Sequence, residues 1–326
     1  MRRGRTVAAL LLAIGLIATG NAAAQSFPTR AITLVIAFPP GGATDAVARP
    51  VAEAMSQTLG QQIVIEYVGG AGGTIGAARV ARATPDGYTV LIHQTGLAVG
   101  MSLYPKLSFD AEKDFEGIGI VANMATVMVG RPSLPANSLP ELIRWMKEPG
   151  TTAKMAHAGV GSFGHVCGVM FVQEVGAKAD QIPYRGGGPA LNDVIAGHAD
   201  LSCLSAAVAV ELIKAGKLKG YAVFGSKRFA GLPEVPHFVE TGYRALDLPF
   251  WQTLFVPAGT PRPVIDRLNV ALREALINPK VRDAFEKNGM EAYPTAEQTP
   301  EAAMALLKSE IKRWGDVVRA NNMSAQ

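Results

Sequence analysis

The residues with the most chemical potential in this chain sit in or beside glycine-rich loops. Gly159-Val160-Gly161-Ser162-Phe163-Gly164 reads G-x-G-x-x-G between an apolar run at 154–158 and a helical stretch from His165 to Val175. Such a loop can cradle a pyrophosphate at a helix N-terminus. The next expected strand ends at Tyr184-Arg185, which places a basic residue where a phosphorylated ribose would need one. An exported NADP-dependent α/β enzyme is therefore one reading. Gly69 to Gly76 looks like a second phosphate loop, but no Gly-Lys-Ser/Thr follows it, so Walker-type chemistry fails. There is no Gly-x-Ser-x-Gly elbow. The five histidines are His93, His157, His165, His198 and His237, and no pair of them has helical metal spacing with a Glu, so no metal site is expected. Nothing forms a nucleophile, base and orienter set. With no catalytic residue and no cofactor called for, a binder fits better than an enzyme.

The elements that position these loops follow one repeated plan. Ile32 to Ala37 is β-branched and apolar, and reads as a buried strand. Phe38-Pro39-Pro40-Gly41-Gly42 follows, and then Val47, Val51, Met55 and Leu59 recur on one face at helical spacing. Glycines let backbone N–H groups approach a ligand, and a helix N-terminus adds unpaired donors with partial positive charge. The product is an anion pocket that suits a carboxylate as well as a phosphate. Asp45, in the first helical turn, reads either as an acid that simply stabilises the helix start or as a ligand-site residue that acts by ordering the loop. Arg185 is the best direct carboxylate partner by chemistry, as a bidentate donor at a loop mouth, with a solvated surface arginine as the alternative. His165, beside its glycine loop, reads either as a local hydrogen-bonding residue or as a ligand contact. The strand, glycine loop and helix device recurs after 62–67, 154–158, 181–184 and 199–204.

Strands alternating with helices argue for parallel sheets covered by helices. The chain has 326 residues, 48% of them hydrophobic and 18% charged, enough for two packed domains and too apolar for disorder. A net charge of +4, dispersed along the chain, gives no nucleic-acid footprint. Arg2, Arg3 and Arg5 precede an apolar core from Val7 to Ala18 and a small-residue site at Ala22-Ala23-Ala24. Residues 1–24 are expected to be a cleaved export signal, with Gln25 as the mature start and the periplasm as destination. Export permits a disulfide between Cys167 and Cys203, against the alternative of two small buried thiols. The expected division is one domain from 25–125 and 225–326 and another from 126–224, with the cleft between them lined by glycine loops from both.

Taken in order, these residues resemble a known family. Phe38-Pro39-Pro40-Gly41-Gly42 with Asp45 and Arg49 is similar to the first signature of the tripartite tricarboxylate transporter solute-binding receptors, the Bordetella-uptake type. The likeness runs through Gly70-Ala71-Gly72-Gly73-Thr74, Thr84-Pro85-Asp86-Gly87-Tyr88-Thr89, Gly159-Val160-Gly161-Ser162 with His165, Pro183-Tyr184-Arg185-Gly186, Leu232-Pro233-Glu234-Val235-Pro236 and Arg313-Trp314. It implies a two-domain type II periplasmic binding protein fold, each domain a mostly parallel sheet flanked by helices, with a ligand cleft between. It also implies a non-enzymatic, monomeric receptor that captures a small carboxylate and presents it to a membrane transporter of one large and one small subunit. A receptor that signals to a membrane sensor is the alternative within this reading. By the same resemblance, the first wall of the site is Pro40, Gly41, Gly42, Gly73 and Thr74; Phe38, Asp45 and Gln94 are expected ligand-site residues beside it. The opposite wall is Gly161, Ser162, His165, Tyr184, Arg185, Gly186 and Ser205. This sequence departs from the family pattern at Tyr67-Val68, at Arg185 and over Ala199 to Ser205, which is smaller and more apolar than usual. A dicarboxylate with an apolar or aromatic body is the expected ligand.

Overall fold

The computed structural model describes residues 27–225, 227–320 and 323; the leader expected over 1–24 lies outside the described residues. The first strand, β1 (Ile32–Ile36), is buried on both faces except at the half-buried Thr33, as its apolar residues require. It leads through Phe38 to Gly42 into α1 (Ala43–Leu59), whose Val47, Val51, Met55 and Leu59 are buried; Gly60, at φ 67°, ends it. Then come β2 (Ile63–Tyr67), α2 (Thr74–Ala81), β3 (Thr89–Gln94) and α3 (Gly96–Leu103). The long apolar run resolves into β4 (Phe115–Met124) and β5 (Thr126–Gly130), separated by Ala125 alone. Next are α4 (Leu139–Met146), β6 (Ala153–His157), α5 (Phe163–Val175), β7 (Ala179–Pro183), α6 (Gly187–Ala196), β8 (Leu201–Ser205), α7 (Ala206–Lys214) and β9 (Lys219–Phe224). The chain closes with β10 (Phe250–Pro257), α8 (Arg262–Ile277), α9 (Pro279–Lys287), β11 (Met290–Ala292) and α10 (Pro300–Ala320). Helix α5 starts two residues before the expected His165, because the Ser162 hydroxyl accepts from His165 N and caps it.

Two sheets result. One has the order β11-β4-β10-β3-β1-β2, the other β7-β6-β8-β5-β9. The βα units pair in parallel, β1 with β2 and β3, and β6 with β7 and β8. Strands β4, β10 and β11 run antiparallel, as do β8 and β9 against β5. Both sheets are therefore mixed rather than mostly parallel as expected, because β5 and β10, two of the strands that carry the chain between the domains, run against the βα units. The stretch between β9 and β10 folds back along β9, where Val223 N donates to Pro236 O and Phe238 N to Val223 O. Helix α10 covers the first sheet, and its buried Glu310 accepts from the indoles of Trp251 and Trp314 at 3.0 and 2.8 Å. The carboxyl ends of β1, β3, β6 and β8 all face the space between the two sheets.

Candidate functional site

That space holds a cavity of about 110 Å³. Phe38, Pro40, Gly41, Gly42 and Gln94 line it from the first domain; Ser162, Phe163, Leu191, Cys203, Leu204 and Ser205 line it from the second. Four helices begin at its walls, at N-caps Gly42, Ser162, Gly186 and Ser205. Each N-terminus carries roughly half a positive charge, so together they present about +2. No acidic or basic side chain lines the cavity among the described residues. The site is thus an anion pocket built from backbone, with an apolar wall where Phe163 of α5 stacks on Phe250 of β10, their centroids 4.3 Å apart.

The first-domain loop is braced from behind. Gly41 N donates to Asp45 Oδ2 at 2.8 Å, Tyr67 Oη to Asp45 Oδ1 at 2.7 Å, and Arg49 Nε to the same carboxylate at 3.0 Å. Burial alone would raise the Asp45 carboxyl, but the Gly41 N–H, Tyr67 and Arg49 hold it below its ordinary value. Register explains why Tyr67 can do this. It pairs with Ile36 at the end of β1, so its ring lies beside the start of the loop. Asp45 therefore orders the loop from outside the cavity lining. The departure at Tyr67 supplies a brace for Asp45.

Gly73 and Thr74 sit one layer further back. Gly73, at φ +98°, lies so close that a Cβ would stand 2.5 Å from His93 Nε2. His93 Nδ1 accepts from Gln94 N, so its Nε2–H faces Gly73 O at 3.3 Å. Burial drops the His93 pKa to about 4, which keeps the ring neutral. The Thr74 hydroxyl donates to Ala71 O at 2.9 Å, closing its own turn. Gln94 reaches the cavity, its Oε1 accepting from Gly96 N at 2.8 Å.

In the second domain, His165 Nδ1 accepts from Gly161 N at 3.3 Å and its ring lies 4.5 Å from that of His157. Burial lowers His165 to about 4 and His157 to about 3, the latter helped by repulsion from His165. His165 supports the loop, and neither ring lines the cavity. Tyr184 donates to Asp193 Oδ2 at 2.5 Å, a bond that pushes its phenol up to about 12. Arg185 is exposed and outside the lining, in the solvated position that sequence left open for it. Cys167 and Cys203 are both free and buried; burial, and then the hydrogen bond between them, raise the Cys167 thiol well above its usual range.

Gly161 and Gly186 belong to the seam that closes the cleft. Tyr104 Oη donates to Val160 O at 2.7 Å from one domain to the other. Gly161, at φ +81°, lies against Leu103 and Tyr104, and Gly186 against Pro39. A Cβ on Gly72 would stand 2.3 Å from Val160 O. These contacts hold the two walls together. Sequence reading missed Tyr104, Phe250 and Thr126. Only Thr126 carried a signal, as a hydroxyl inside the apolar run 118–130.

A family model described as "Tripartite tricarboxylate transporter family receptor" matches residues 47–323. This chain belongs to that family. BugT of Bordetella pertussis is 36% identical over 318 residues, 95% of this receptor and 96% of BugT. The solved periplasmic binding protein BugD superposes with a TM-score of 0.88 at 37% identity, covering 92% of this receptor and 100% of BugD. MatC from Rhodopseudomonas palustris, solved with bound malate, superposes with a TM-score of 0.85 at 34% identity, covering 90% of this receptor and 100% of MatC. The receptor therefore shares the two-domain periplasmic binding protein fold, and its family is one of solute-binding receptors rather than of enzymes.

Proposed function

We propose that this receptor is exported by its first 24 residues, binds a small carboxylate in the periplasm as a monomer, and delivers it to a membrane transporter of one large and one small subunit. The observation that carries the reading is the convergence of four helix N-termini on a cavity that, among the described residues, no charged side chain lines. Such a pocket favours an anion and offers an ammonium or a cation no counter-charge. Gly41, Gly42 and Ser162 are the proposed grip on the carboxylate, with Phe38 and Gln94 beside it; Gly73, Thr74 and His165 act by holding the loops. MatC, with malate bound, is consistent with this class of ligand. The NADP reading lacks its basic partner, since among the described residues no lysine or arginine lines the cavity to meet a phosphorylated ribose.

The test is thermal denaturation of the chain from Gln25 onward against mono-, di- and tricarboxylates and NADP. At a hundredfold excess over Kd, ligand adds about 2.7 kcal/mol to stability. A shift with one carboxylate class is expected. A shift with NADP alone would overturn the reading.

A further inference from the structure

The cavity holds two side chains that its closing contacts and its core do not use. Thr126 is 1% exposed and Ser205 is 5% exposed, and both line the cavity. Neither hydroxyl has a hydrogen-bond partner among the described residues. They are cross-strand neighbours, Thr126 of β5 facing Ser205 of β8 in an antiparallel register. A buried hydroxyl without a partner is unfavourable, and a valine at 126 would fill a strand position without that cost. Ser205 is moreover the N-cap of α7, yet its side chain makes no capping bond, while the first N–H of that helix, Ala206 N, is taken by Ala125 O at 2.8 Å. Ser202, three residues earlier, shows the ordinary alternative: its hydroxyl is satisfied by Ala156 O at 2.7 Å.

We infer that Thr126 and Ser205 form a second anchor, on the wall facing the Gly41-Gly42 loop, that selects a ligand bearing a second carboxylate. The inference rests on the carboxylate reading above and names the residues that decide between a diacid and a monoacid. The two hydroxyls supply two donors and α7 supplies a helix N-terminus, a set that matches the two oxygens of a carboxylate. Between the anchors the walls are Phe163, Leu204, Val208 and Phe250, which suit an aliphatic body.

The experiment is calorimetric titration of the mature chain with matched pairs of acids: succinate with butyrate, adipate with hexanoate, and malate alongside. Wild type is expected to prefer the diacid of its best pair at least tenfold. Thr126→Val and Ser205→Ala are each expected to weaken that diacid about tenfold while weakening the monoacid much less, and Thr126→Ser to restore it. Circular dichroism and melting identify a variant that does not fold; the other substitution then carries the test. Equal binding of monoacid and diacid by wild type would overturn the anchor and leave the carboxylate receptor standing. So would an unchanged diacid preference in both variants. No response to any acid would overturn both.

Discussion

Replacing Gly72 by alanine isolates the closing contact between the domains. Gly72 lies at φ +64°, and an alanine Cβ there would stand 2.3 Å from the backbone oxygen of Val160 in the other domain. A carbon–oxygen contact needs about 3.3 Å, so the two loops must part by about 1 Å. That movement breaks the Tyr104 to Val160 hydrogen bond, about 1 kcal/mol, and loosens or strains the packed seam by a further ~1–3 kcal/mol. The closed state should therefore lose about 2–4 kcal/mol, which is roughly a 30- to 1000-fold loss in affinity for a ligand that needs closure. Backbone strain must be separated from this. Gly176 also has φ +64°, with nothing within 4 Å of a built Cβ. Alanine at either position costs about 1–2 kcal/mol of folding stability through the left-handed backbone alone. Calorimetry with the acid that gives the largest thermal shift, together with small-angle scattering for closure, makes the comparison. Both variants should melt earlier, and only Gly72→Ala should bind weakly and stay open with ligand. If Gly72→Ala binds within about threefold of wild type, the contact does not govern closure and the reasoning fails.

Acid should destabilise the receptor well before its carboxylates titrate. His93 and His165 are held near 4 and His157 near 3 in the fold, against 6.5 for a free histidine, so the unfolded chain takes up protons that the folded chain refuses. The effect is nil above about pH 7 and grows as pH falls from 6.5 toward 4, by up to ~1.4 kcal/mol per pH unit for each histidine. Urea unfolding across pH 8 to 4.5 checks this, and a flat profile would refute it. Asp45, held below its ordinary value, works in the opposite sense: its contribution is present above about pH 4 and is lost only below that. Asp45→Asn keeps an acceptor for Gly41 N but loses the charge that Arg49 and Tyr67 address. It should cost about 1–2 kcal/mol of stability and weaken ligand binding several-fold, seen by melting and calorimetry.

The repeating units were legible because they rest on local physics. Apolar runs ended by glycine loops, followed by residues at helical spacing, placed β1 with α1 and β6 with α5 to within a residue or two. The Asp45 brace was half legible: an acid in a first helical turn also stabilises the helix start by itself, and the bonds from Gly41 N and Tyr67 show that it orders the loop. The family likewise followed from the ordered loop residues.

What sequence could not distinguish was the part each glycine loop would play. Gly41, Gly42 and Ser162 reach the cavity, while Gly72, Gly161 and Gly186 seal the cleft around it. Both roles need the same residue, because close approach of backbone to ligand and close approach of backbone to backbone both forbid a Cβ. Arg185 and Thr126 show the same limit from opposite sides. A loop-mouth arginine looks functional by chemistry and turns to solvent, whereas a threonine in an apolar strand looks like a β-former and lines the cavity with its hydroxyl unpartnered among the described residues. Strand propensity and loop composition are properties of neighbours in the chain. Which way a side chain faces across a cleft depends on strand register and on how the two sheets meet, and only the tertiary structure decides that.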